Sequence, residues 1–194
     1  MSDEKHGGSS PSPLVIVFGG TRVPETSPLY SQVRRLGRLL AQAGFWVGSG
    51  GYMGVMEAVS RGAAEAGGYV VGYTSDVFAT LDPNPWLSEE RRTPDLITRI
   101  KRMVDEGDAF VAAHGGIGTL AELTVVWNII LLDHIHGRPT RPLVLLGQEW
   151  EPVIEVFRTH TQMGSSTFQL IERASTPEEA VARIQTRLQH ANMS

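Results

Sequence analysis

The chain has 194 residues, 41 % of them hydrophobic and 20 % charged, which suits one globular domain with a full core. A formal charge of −4 leaves no broad basic footprint for nucleic acid or an anionic membrane surface, and the absence of cysteine excludes a disulfide framework, a thiolate nucleophile and a Cys-based metal site. No stretch approaches the roughly 20 apolar residues of a membrane span and no signal-peptide pattern opens the chain, so a cytoplasmic protein is expected.

Residues 1–13 are polar and rich in Gly, Ser and Pro, and read as a disordered tail. Residues 14–194 read as a single domain. Leu14-Val15-Ile16-Val17-Phe18 is an apolar run expected as a central strand, entering the turn Gly19-Gly20-Thr21-Arg22. Ser27-Pro28 is an N-cap with proline at the first helical position. Leu29, Val33, Leu36, Leu39 and Leu40 then share one helical face, and Gly44 ends the helix. Residues 45–48 form a second strand. A second glycine turn, Ser49-Gly50-Gly51-Tyr52-Met53-Gly54, enters a helix over 55–66, whose small residues Ala58, Gly62, Ala63 and Ala66 are expected to allow close helix–sheet packing. Residues 69–73 are a third strand.

Residues 75–94 read as a long loop, a length that tends to be functional or mobile. A helix from Asp95 is expected to turn Leu96, Ile97, Ile100 and Met103 inward, with Arg99 and Arg102 on other faces. A strand over 109–113 and a helix over about 119–136 follow. Residues 142–147 and 168–171 are further strands, with a helix from Glu149 to about His160 between them. Thr176-Pro177-Glu178-Glu179 caps a last helix. This alternation predicts an α/β, Rossmann-like doubly wound parallel sheet of about six to seven strands with helices on both faces. Right-handed crossovers would bring the glycine turns after residues 18, 48 and 113 to one edge, around one crevice.

The third turn is His114-Gly115-Gly116-Ile117-Gly118-Thr119-Leu120-Ala121-Glu122, between a strand and an apolar helix. Glycines let the backbone approach an anion, and the free N–H groups of a helix start point at it. Glu122 is the unexpected residue, because an anion site does not favour a neighbouring carboxylate. Thr119 and Glu122 also fit a capping box with no functional role, and the motif alone leaves both readings open. No turn matches G-x-x-x-x-G-K-[ST] or G-x-G-x-x-G, which points to a mononucleotide rather than a P-loop or dinucleotide site. Phosphate-cradling candidates are Gly19, Gly20 and Thr21, then Gly50, Gly51, Met53 and Gly54, then Gly115, Gly116, Ile117, Gly118 and Thr119. Arg99 could fix a phosphate bidentately, and Glu122 could act at the sugar, stabilising an oxocarbenium-like centre or activating water. Arg99 equally fits a solvated helix arginine. His134 and His136 are two apart on a helix and share no face, so no metal site is expected. A serine-hydrolase elbow is absent. Trp127 with Ile129, Ile130 and Leu131 covers more than one helical face, fitting core or a helix–helix dimer contact.

Gly50-Gly51-x-Met53-Gly54-Val55-Met56-Glu57-Ala58, Arg99 and the 115–122 motif resemble the LOG ("Lonely Guy") family, whose members were long mislabelled as possible lysine decarboxylases. The likeness spans about residues 14–160. It implies a Rossmann-like fold and a homodimer with active sites near the subunit interface. The implied activity is a phosphoribohydrolase, without metal or organic cofactor, that splits a nucleoside 5′-monophosphate such as AMP or a cytokinin nucleotide into free base and ribose 5-phosphate. The family motif P-G-G-x-G-T-x-x-E falls on residues 114–122, its catalytic Glu on Glu122 and its catalytic Arg, from an R-K pair, on Arg99. His114 stands in the place of the motif proline, Ile100 in that of the lysine, and Gly19-Gly20-Thr21-Arg22 in that of Cys-Gly-Ser-Ser. Ser49-Gly50-Gly51 shortens the second turn. The alternative is a non-catalytic phosphate-ligand binder, similar to the molybdenum-cofactor carriers that share this fold. A pyridoxal-phosphate decarboxylase is disfavoured, since Lys101, the only lysine after residue 5, lies on a helix with no matching motif.

Overall fold

The computed structural model describes residues 12–191, so most of the 1–13 tail lies outside the described residues. Seven strands form one sheet in the order β4-β3-β2-β1-β5-β6-β7, with every pairing parallel. They are β1 (Leu14–Phe18), β2 (Trp46–Ser49), β3 (Val70–Gly72), β4 (Glu89–Glu90), β5 (Ala109–Ala112), β6 (Leu143–Leu146) and β7 (Glu172–Ala174). Helices α1 (Pro28–Gln42), α2 (Val55–Glu65) and α6 (Pro177–Ala191) cover one face. The other face carries α3 (Leu96–Glu106), α4 (Ile117–Ile135) and α5 (Trp150–His160). Both faces are covered, so β1, β5 and β6 are buried at every position and read as continuous apolar runs.

The caps fall where the side chains can make them. Ser27 Oγ accepts the Tyr30 N–H at 3.1 Å, and α1 gives way to Gly44 at φ +85°. Asp95 caps α3 by accepting the Thr98 N–H at 2.8 Å. At α6, Thr176 accepts the Glu179 N–H at 3.3 Å, while the Glu179 carboxylate takes the Ser175 N–H at 2.8 Å.

Several expectations are corrected. The 75–94 segment is not a plain loop: it holds a 3₁₀ turn at Asp76–Phe78, the edge strand β4 and an isolated parallel bridge from Ser75 to Thr93. Residues 168–171 are not a strand; a 3₁₀ segment over Ser165–Leu170 lets the Thr167 carbonyl accept the Trp127 indole N–H at 2.9 Å, and β7 follows it. The small residues of α2 serve a helix–helix crossing more than helix–sheet packing. A Cβ on Gly62 would lie 1.8 Å from the Arg34 carbonyl oxygen, and one on Gly37 2.1 Å from that of Val59. Finally, α4 is long and apolar enough by composition to cross a membrane, contrary to the sequence expectation. In this fold it lies on the sheet, with Leu123, Val126, Trp127 and Ile130 in the core.

Candidate active site

The strand order reverses between β1 and β5, since β2 lies on one side of β1 and β5 on the other. The carboxyl ends of two such strands leave a crevice that neither crossover covers. Here the three glycine turns meet, and Gly20 joins them. Its N–H donates to the His114 carbonyl at 3.1 Å, and its carbonyl accepts the Val55 N–H at 2.9 Å. Gly54 fits against it only as glycine: φ is +69°, and a Cβ would stand 2.5 Å from the Gly20 oxygen.

A cleft of about 690 Å³ opens at this junction. Gly19, Gly20 and Thr21 line it, as do Gly115, Gly116, Ile117, Gly118 and Thr119. Arg99 and Glu122 form its inner wall. Gly50, Gly51, Met53 and Gly54 do not line it. Gly50 instead backs Arg99, where a Cβ would fall 1.7 Å from Nη2, and Met53 faces solvent. Tyr52, Met56 and Phe78, which sequence reasoning did not place in the site, also line the cleft. Tyr52 and Met56 stand inside the motif that carried the family resemblance, and Phe78 is an aromatic in the long segment, so a signal was present for each.

Helix α4 begins two residues before its expected start. Gly116 is its N-cap and makes no side-chain capping bond. Thr119 and Glu122 therefore lie inside the helix, and the capping-box reading of the pair is not realised. The N–H groups of the first turn stay open toward the cleft, a position that favours an anion. Glu122, a turn further in, is only 8 % exposed.

Arg99 lies on the inner face of α3, contrary to expectation, and is 5 % exposed, while Ile97 is 74 % exposed. The buried face is Arg99, Ile100, Met103 and Val104, because the first turn of α3 overhangs the cleft mouth, where Leu96 lines the opening. Arg99 can be buried because each of its three side-chain nitrogens has a hydrogen-bond partner. Nε donates to the Tyr73 carbonyl at 2.6 Å, Nη1 to Glu122 Oε1 at 3.2 Å and Nη2 to Met56 Sδ at 3.8 Å. The guanidinium also lies 5.9 Å from the Tyr52 ring centroid and 6.0 Å from that of Phe78. Burial raises the Glu122 carboxyl to about 7, and the adjoining Arg99 charge pulls it down without cancelling the desolvation. A carboxyl that titrates near neutrality can take or return a proton at working pH.

Residues 56–184 match the family described as possible lysine decarboxylase. The chain belongs to that family, the one its glycine motifs resemble. It is 29 % identical over 168 residues to a pyrimidine/purine nucleotide 5′-monophosphate nucleosidase of Escherichia coli K12, covering 80 % of this chain and 36 % of that protein. It is 31 % identical over 136 residues to a cytokinin riboside 5′-monophosphate phosphoribohydrolase of Rhodococcoides fascians, covering 68 % of this chain and 66 % of that one. The chain thus spans about a third of the first relative's length. In fold it is similar to the molybdenum cofactor binding protein of Rippkaea orientalis, with a TM-score of 0.74, 23 % identity and coverage of 93 % and 99 %. Among the described residues the decarboxylase description finds no fitting lysine: Lys101 is on the exposed side of α3, paired with Asp105 and away from the cleft.

Proposed function

We propose that this chain is a phosphoribohydrolase acting on a nucleoside 5′-monophosphate. The observation that carries the reading is the buried Arg99–Glu122 pair, 3.2 Å apart, one helical turn from an uncapped helix start in the same cleft. The printed activities of the two relatives support it. The 5′-phosphate sits on the amides of residues 116–119, which sets the ribose over Glu122. A water attacks C1′ and the C1′–N bond breaks with its electron pair going to the base. Glu122 takes the proton from the water and passes it to the departing base nitrogen, so that one water is added overall and the carboxylate is regenerated. Arg99 holds Glu122 in place through its hydrogen bond to Oε1, and the Glu122 carboxylate faces the positive charge that builds on the sugar.

The test is release of free base from a panel of nucleoside 5′-monophosphates, AMP included, followed by chromatography beside Glu122→Gln. Loss of turnover by about 10²–10⁴-fold in a variant with an intact circular dichroism spectrum supports the reading. Turnover that survives the substitution removes Glu122 from the chemistry. Tight binding with no release from any nucleotide moves the assignment to a carrier.

We propose also that the chain works as a homodimer through α4. Val125, Leu132 and Ile135 are exposed along one stripe of that helix. Beside it lies an apolar groove of about 570 Å³, lined in part by Trp127, Leu131, Phe157 and Met163. An exposed apolar strip of this kind favours burial against a second copy.

A further inference from the structure

The cleft differs in charge from the rest of the molecule. The chain carries −4 overall, yet the Arg, His, Asp and Glu side chains lining the cleft are Arg22, Arg99, His114 and a single acid, Glu122. Arg99 is committed: it is 5 % exposed, and its bonds to Tyr73, Glu122 and Met56 leave it poorly placed to grip a phosphate as well. Arg22 is the opposite case. Thirteen arginines make ion pairs and Arg141 donates to the carbonyls of Val104 and Gly107. Arg22 alone has no partner among the described residues, although it lies in the cleft. Glu25, the acid next along the chain, is taken by Arg61.

Position makes this lone cation useful. Arg22 follows Gly20 by two residues, and the Gly20–His114 hydrogen bond clamps its turn to the one that starts α4. Gly20 packs so closely on Gly115 that a Cβ on the first would stand 3.2 Å from the Cα of the second. One wall therefore presents open amides, and the adjoining turn presents an unpaired guanidinium. We infer that Arg22 is the side chain that reads the substrate's 5′-phosphate, a specificity-determining residue that separates nucleoside monophosphates from unphosphorylated nucleosides. This rests on the nucleotide reading above and deepens it. Guanidinium and amides together would enclose the phosphate from two sides, the fork of Arg22 contacting two of its oxygens.

Calorimetric titration of the full chain with ribose 5-phosphate and with ribose tests this, using wild type, Arg22→Ala and Arg22→Lys. Arg22 is exposed and unpartnered, so neither variant should shift the thermal unfolding midpoint. Arg22→Ala should weaken ribose 5-phosphate roughly 10- to 100-fold while ribose binds as in wild type, with Arg22→Lys in between. In turnover, KM should rise more than kcat falls. Wild-type affinity for ribose 5-phosphate in Arg22→Ala, or an equal loss for ribose, overturns the inference. Failure of the hydrolase reading is separable: binding that depends on Arg22 without base release overturns only the chemistry. Base release with a KM indifferent to Arg22 overturns only the phosphate assignment.

Discussion

At the scale of single residues, Glu122 ties stability to pH. Its carboxyl is raised from 4.5 to about 7 in the folded chain. Between those values the folded state holds a proton that the unfolded chain has released, so stability falls as pH rises through the window. Glutamine mimics the neutral acid. Glu122→Gln should therefore match wild type near pH 4.5 and exceed it by about 1–3 kcal/mol near pH 8, read from urea unfolding at both values. If Glu122 is the base, kcat/KM should rise as pH passes through about 7, and the rise should be absent from any residual activity of the variant. Gly50 is the second sensitive position. Gly50→Ala puts a methyl where Arg99 Nη2 and Met56 Sδ now lie, at 1.7 and 2.5 Å. Stability should drop by about 1–3 kcal/mol, and activity should fall with it because Arg99 is the group displaced.

At the scale of elements, the α1–α2 crossing is a backbone contact. Helix propensity alone favours Gly62→Ala by about 1 kcal/mol. The new methyl would stand 1.8 Å from the Arg34 oxygen, an atom of a neighbouring helix backbone that cannot rotate away. The clash should win, and a thermal melt should show Gly62→Ala destabilised. This contact also marks where sequence reading stopped. Apolar runs, glycine turns and the caps Ser27 and Thr176 are local signals, and they located the strands β1, β5 and β6, most helices and the convergence of the turns. What the small residues of α2 face is not local. Nor is the burial of Arg99: an inward arginine on α3 makes sense only once Glu122, on another helix, stands opposite it. The 168–171 run reads as a strand because its apolar pattern is short, and the contact that accompanies its 3₁₀ form, the Trp127 indole on the Thr167 carbonyl, is not local either. Thr119 and Glu122 were legible as important, but their spacing fits a cap as well as a site, and only the helix start at Gly116 separates the two.

At the scale of the whole molecule, α4 contributes to the core with one side, to the cleft with its start and to solvent with an apolar stripe. If that stripe pairs two copies, wild type should sediment at dimer mass and a double substitution, Leu132→Asp with Ile135→Asp, should give a folded monomer. A wild-type monomer at micromolar concentration would remove the dimer. The strand order has another outcome, which concerns how the chain comes into being. Val15 pairs with Val47 on one side and with Ala109 on the other. A nascent chain can therefore complete one flank of β1 early, while the opposite edge, wholly apolar, waits for β5 to emerge. Unpaired edges of this sort recruit other chains. Fragments that end before residue 109 should aggregate, whereas those that reach past β6 should stay dispersed; the nascent protein becomes safe from its neighbours only once β6 has left the ribosome.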